Sequence, residues 1–214
     1  MKMNYKYLKA ACYTTNISMS VVSNISALLF ITFRTLYGIS YSLLGLLVVI
    51  NFTTQLGIDL IFSFFSHKFN IGKTVKFTPI LTVIGLVVFS IWPSLFPNNI
   101  YIGLVIGTVI FAASGGLVEV LISPVIAAIP ADDPDREMSK LHSVYAWGVV
   151  GVVIIATLFL YLFGIENWQW LTGAFAVVPL CAAFLFSRTD IPEMETPEKV
   201  TGAVEFLKNK GILL

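Results

Sequence analysis

"YIGLVIGTVIFAASGGLVEVLISPVIAAIP", residues 101–130, carries a single charge, Glu119, in a run otherwise built from apolar and small residues. The run exceeds the roughly 20 apolar residues that take a helix across a bilayer. A carboxylate at mid-membrane costs on the order of 3 kcal/mol by insertion scales, so a residue of this kind points to a use. This one stretch therefore sets both the class of the protein and its first candidate site.

The rest of the chain repeats the pattern. Of 214 residues, 57% are hydrophobic and 12% charged, about half the charged share of an ordinary soluble domain. Too few polar residues remain to cover a soluble surface. Apolar stretches at 10–33, 38–66, 77–96, 101–130, 143–164 and 169–187 predict an all-α integral membrane protein of six spans. The amino-terminal "YKYLKAACYTTNISMSVVSNISALLF" is too long and too polar for a signal-peptide core and has no small-residue cleavage site after it, so it counts as the first span.

A net charge of +1 carries no signature of nucleic-acid binding. Its distribution is more telling. Of 13 Lys and Arg residues, only Arg34 falls in a loop on one side; the others precede span one, follow span six, or lie between spans two and three or four and five. That asymmetry predicts a multi-pass protein of the cell's inner (plasma) membrane with both termini in the cytoplasm. Cys12 and Cys181 fall inside spans, which argues against a disulfide framework, and the glycosylation-like triplets at Asn16, Asn24 and Asn51 are in spans as well.

The outer connections "PNNIY" and "GIENWQW" are short, and Trp92, Tyr101, Trp168 and Trp170 are expected at the interface beside them. The longer cytoplasmic connections are 67–76, "HKFNIGKTVK", and 131–140, "ADDPDREMSK". Gly103 and Gly107 are spaced for close helix contact. Beyond span six, Thr196, Pro197 and Glu198 make a helix start, and Val200, Ala203, Val204 and Leu207 repeat at helical spacing. The expected organisation is a bundle over 1–190, a cytoplasmic linker with an amphipathic helix over 191–210, and the opening of a further span at 211–214.

Polar side chains within spans mark the faces turned away from lipid. Asn51, Gln55 and Asp59 recur one turn apart in span two, as do Asn16, Ser20 and Asn24 in span one. Span four adds Thr108, Gly115, Glu119 and Ser123, with Pro124 freeing a carbonyl nearby, and span five opens with His142 and Tyr145. Glu119 and Asp59 are the candidate proton carriers. Asn24, Asn51, Gln55, Glu119, His142 and Tyr145 are the candidate solute contacts, with helix-to-helix hydrogen bonding the competing reading for the amides. No HExxH, no GxSxG and no Cys and His cluster occurs, so no catalytic residue, metal site or cofactor is expected.

With six spans, a basic loop after the second and an amphipathic segment after the sixth, the chain resembles the amino-terminal half of a major facilitator superfamily transporter over essentially its whole length. "GGLVEVLISPVIAAIP" followed by "MSKLHSVYAWG" is similar to the fourth and fifth spans of that superfamily's bacterial fucose permease-like branch. The resemblance implies a six-helix bundle of two inverted three-helix repeats, half of a twelve-helix fold. It also implies secondary transport of a small polar solute, a sugar foremost, by alternating access coupled to protons. Glu119, His142 and Tyr145 match residues lining the branch's sugar and proton site, whereas its span-one acid is replaced by Asn24. The superfamily's loop motif is degraded in "SFFSHKFNIGK": His67, Lys68 and Asn70 match one register, Gly72 and Lys73 another, and together they form the expected gating loop. Asn70 stands where the motif has glycine, and is expected to take the left-handed turn. The implied partners are the solute, the proton, the lipid bilayer, and a carboxy-terminal half or a second copy. The competing classes are a non-transporting fragment or assembly subunit, and a six-span subunit of a homodimeric transporter.

Single cysteines at Asn70 and Asn99, in a background lacking Cys12 and Cys181, should label from opposite sides of the membrane. Labelling from one side only would refute the span count.

Overall fold

In hydrocarbon the backbone must satisfy its own polar groups. In the computed structural model, which describes residues 5–192, every regular element is accordingly helical. In chain order these are α1 (Tyr5–Leu28), α2 (Phe30–Tyr37), α3 (Tyr41–Phe65), α4 (Ile71–Leu95), α5 (Ile100–Ala127), α6 (Pro134–Phe163), α7 (Trp168–Phe175) and α8 (Val177–Ser187). Five helical stretches are long and apolar enough to cross a membrane, and α1 with α2, bent by 43°, make a sixth. The amphipathic segment and the further span expected after residue 192 lie outside the described residues.

Several boundaries depart from expectation, each for a polar reason. The first span begins at Tyr5 and its bent continuation reaches Tyr37, longer at both ends than 10–33. The third begins at Ile71 rather than 77, because Asn70 caps α4: its side-chain oxygen accepts from the Lys73 amide at 2.9 Å. Asn70 is extended, with φ −79° and ψ 99°, so the left-handed turn expected of it is not made. The fifth begins at Pro134 rather than 143. Asp133 caps it by accepting from the Arg136 amide at 3.0 Å, and Asp135 and Glu137 sit in the first turn, where the helix dipole favours acids. Most of the predicted 131–140 loop is thus helix. Polar first turns at the membrane surface are helical without being apolar, and hydropathy alone passes over them.

The main packing pairs are α4 with α5, α3 with α5, α1 with α6, α1 with α8, α1 with α5 and α4 with α8. Exchanging spans one and four, two and five, and three and six maps this set onto itself. That is the pairing expected of two inverted three-helix repeats.

Glycine makes the tightest of these contacts possible. A Cβ on Gly85 would lie 2.5 Å from the Phe111 amide nitrogen, one on Gly107 would lie 2.6 Å from the Phe89 Cβ, and one on Gly103 would run into the Trp92 ring. α4 and α5 therefore approach backbone to backbone, as small residues allow in membranes.

Two apolar clusters result. One gathers Phe33, Phe89, Phe111 and Trp168 with edge-to-face ring contacts of 4.9 to 5.9 Å. Trp168 is fully buried there and donates to the Tyr37 hydroxyl at 3.0 Å, so it is a core residue and not the interface residue expected; Trp170 is exposed. The other cluster, towards the charged end, includes Leu8, Cys12, Val75, Val125 and Phe186. Between the two, by position along each helix, runs a polar belt of Asn16 and Ser20, Asn51 and Gln55, Thr78 and Thr82, and Ser114. Thr82 and Ser114 hydroxyl oxygens lie 2.6 Å apart, and Ser114 donates to the Thr78 carbonyl at 2.8 Å.

Gly107→Leu should lower unfolding stability in detergent by roughly 1–3 kcal/mol, the usual cost of overpacking. Gly45→Ala, with nothing within 4 Å of the added carbon, should not. Equal stability of the two variants would contradict the tight α4–α5 contact.

Candidate functional site

The belt opens into a cavity of about 220 Å³ between α1, α5 and α6. Its register is set from α1. Asn16 donates its side-chain amide to the Leu141 carbonyl at 2.7 Å, and Ser20 donates to the Tyr145 carbonyl at 3.0 Å, one turn further along α6. Gly148 is the next small residue in line; a Cβ there would lie 2.5 Å from the Ser20 oxygen. With α6 held so, His142 and Tyr145 line the cavity together with Glu119, Asn16, Met19 and Ser123, and Val118, Ile122 and Leu141 supply its apolar part.

Glu119 is exposed and makes no hydrogen bond or ion pair among the described residues. An unpaired carboxylate cannot rest against lipid tails. Its opening must meet water, a bound molecule or another protein surface. Around it stand an imidazole, a phenol, an amide and a hydroxyl, which together offer donors and acceptors but no fixed cation.

The other predicted residues are placed differently. Asn51 donates to the Val22 carbonyl at 2.9 Å and Gln55 to the Asn51 side-chain oxygen at 2.8 Å, both buried, so this pair ties α3 to α1 and lies outside the Glu119 cavity. Asn24 is half-buried and turns back on its own helix, donating to the Ser20 carbonyl at 2.8 Å. Asp59 also lies outside the cavity. It packs on Gly116, where a Cβ would come within 2.9 Å of its Oδ1, and that oxygen is buried without a hydrogen-bond partner in the described residues. Gly115 and Gly116 thus let α3 approach α5 and bring Asp59 close to the turn that carries Glu119.

Of the loop residues, His67 and Lys68 lie in an exposed turn with the Lys68 ammonium 4.9 Å from the Phe65 ring centroid, while Gly72 and Lys73 belong to the first turn of α4. Two features escaped the sequence reading. Asn16 lines the cavity, although the same stripe suggested Asn24, two turns away. Glu137 gathers Lys9 at 2.9 Å, Lys140 at 2.7 Å and the Tyr13 hydroxyl at 3.1 Å, tying the charged ends of α1 and α6.

The family profile of the Major Facilitator Superfamily matches residues 11–214. The chain belongs to the major facilitator superfamily. Two solved structures share its fold. The proton:xylose symporter XylE bound to 6-bromo-6-deoxy-D-glucose superposes with a TM-score of 0.74 at 17% identity, covering 88% of this chain and 45% of that one. The inward-open xylose transporter XylE from E. coli gives 0.72 at 16% identity, covering 87% and 48%. The chain spans about half the length of these structures and corresponds to their amino-terminal half. A search among curated proteins found no match. The superfamily is one of membrane transporters, not enzymes, and the long apolar helices of this chain suit a multi-pass membrane protein.

Cysteines at Glu119 and His142, without Cys12 and Cys181, should be bridged by a short bifunctional reagent, whereas Glu119 paired with Asn24 should not. The opposite pattern would displace the cavity from these helices.

Proposed function

We propose that the chain is the amino-terminal half of a secondary transporter that moves a small polar solute, a sugar foremost, by alternating access coupled to protons. The observation that carries this is Glu119: an unpaired acid at mid-membrane, opening on a cavity with Asn16, His142 and Tyr145. These side chains supply the hydrogen-bonding mix that hydroxylated solutes require, and the acid can be neutral while enclosed and charged while wet. The fold shared with a xylose symporter and the likeness of residues 115–130 and 138–148 to the fucose permease-like branch support the sugar reading.

In this account a second six-helix half closes the cavity, and the two halves rock about it. Asp59, beside the same turn of α5, is the second candidate for a proton site. His67, Lys68, Asn70, Gly72 and Lys73 form the cytoplasmic gating connection. Asn51 and Gln55 serve first as ties between α1 and α3, and Asn24 reaches solute only by releasing its own helix. The charge asymmetry of the loops supports the inner membrane, with both termini cytoplasmic.

Glu119→Gln, made in the complete transporter, mimics the protonated acid permanently. Gradient-driven uptake should collapse while solute counterflow partly survives. Retention of both activities would reduce Glu119 to a helix contact; loss of both together would make it a solute ligand only. Uphill accumulation with the parent's pH dependence would rule out the coupling role.

A further inference from the structure

The Glu119 cavity occupies one flank of the α1–α6 seam, and the other flank carries a larger feature. An open groove of about 970 Å³ runs along α6, floored by Ile17 and Val21 of α1 and walled beyond by Phe175 and Val178. Ser143, Trp147 and Gly151 line it at successive turns, a stripe set apart from His142 and Tyr145. From Arg136 to Phe159 its α6 wall is about 35 Å long at 1.5 Å per residue, comparable with a hydrocarbon core of about 30 Å.

The chemistry of the groove is one-sided. Its body is apolar, and its charges, Arg136 and Lys140, stand at one end with the hydroxyls of Ser139, Ser143 and Tyr13. The Arg136 guanidinium has no hydrogen bond or ion pair among the described residues; only its backbone amide is engaged, by Asp133. Acids are near, but none among the described residues forms an ion pair with the guanidinium. Glu137 is shared by Lys140 and Lys9, and Asp133 caps α6. Asp132 and Asp133 border an adjoining polar cleft that also takes in Lys9, Glu137 and Arg136, so the guanidinium stands between cleft and groove without an ion pair, and Asp135 lines neither. A smaller groove of about 410 Å³ between α3 and α4 repeats the design, with Lys73 the one charged residue in its lining.

We propose that the larger groove is a phospholipid site: acyl chains lie along its apolar length and the phosphate group is held by Arg136 and Lys140. Lipid tails would fill any apolar groove in a bilayer, so selectivity must come from the charged mouth, where a basic side chain attracts phosphate. The groove is long enough to take an acyl chain, which reaches about half the hydrocarbon core, along the part next to its charged mouth, and the free guanidinium matches a phosphate in shape and charge.

Native mass spectrometry of the purified chain tests this with two probes of identical chains, phosphatidylglycerol and diacylglycerol. The parent should retain phosphatidylglycerol preferentially. Arg136→Gln with Lys140→Gln should weaken that retention about tenfold or more. Gly151→Phe adds a ring into open space within the groove and should lower retention of the lipid, while Gly45→Phe, equally open but outside it, should not. Thermal unfolding establishes that each variant is folded. Equal retention of the two probes, or no effect of the variants, would overturn the proposal. Loss with the charge variants but not with Gly151→Phe would mark a surface ion contact, and a dimer dissolved by Gly151→Phe would mark a protein interface; either overturns it too.

Discussion

Two hydrogen bonds from α1 to the backbone of α6 fix the arrangement on which the rest depends. Asn16 and Ser20 reach the Leu141 and Tyr145 carbonyls one turn apart, and Gly148 lets the helices close at the next turn. Such bonds in membrane proteins average about 0.6 kcal/mol, so the pair secures register more than stability. Register is what the site needs. Turned by one residue, α6 would carry His142 and Tyr145 away from Glu119, and the groove on the other flank would lose its line of small and apolar residues.

Around that seam the bundle is layered. Aromatic packing fills one end, aliphatic packing the other, and a belt of amides and hydroxyls lies between them at mid-depth. The groups of the belt are spent on a neighbouring helix, as for Asn16, Ser20, Asn51 and Ser114, or on their own, as for Gln55 and Thr78. Two acids stand apart: Glu119, which opens outward, and Asp59, whose buried oxygen, like the Ser26 and Thr108 hydroxyls, has no partner among the described residues. An unpaired acid in the membrane costs far more than an unpaired hydroxyl, so the electrostatic cost falls chiefly on Glu119 and Asp59, where a proton or a solute would relieve it.

The span count and the fold were legible because a bilayer forces long apolar helices, and the Gly103 and Gly107 spacing is a direct record of close approach. Helix ends at the surface were less so: Asn70 and Asp133 start helices in polar sequence, which hydropathy cannot separate from loop. Within the site, Glu119, His142 and Tyr145 could be grouped because each stands out on its own span. The amides could not be sorted, since Asn16, Asn24, Asn51 and Gln55 look alike in sequence. Only partner helices decide which amide ties, which lines a cavity and which folds back on its own turn. Trp168 misled for a similar reason, because burial against Phe33 and Phe89 depends on a bend at Leu29 that composition does not show.

The proposed proton site is the Glu119 carboxyl in the α1–α5–α6 cavity. Infrared spectroscopy of the protein in lipid reads the protonated carboxyl band directly across a pH series. The band should grow as pH falls in the parent and lose a titrating component in Glu119→Gln. Identical pH-dependent spectra for parent and variant would place the titrating carboxyl elsewhere and contradict the claim.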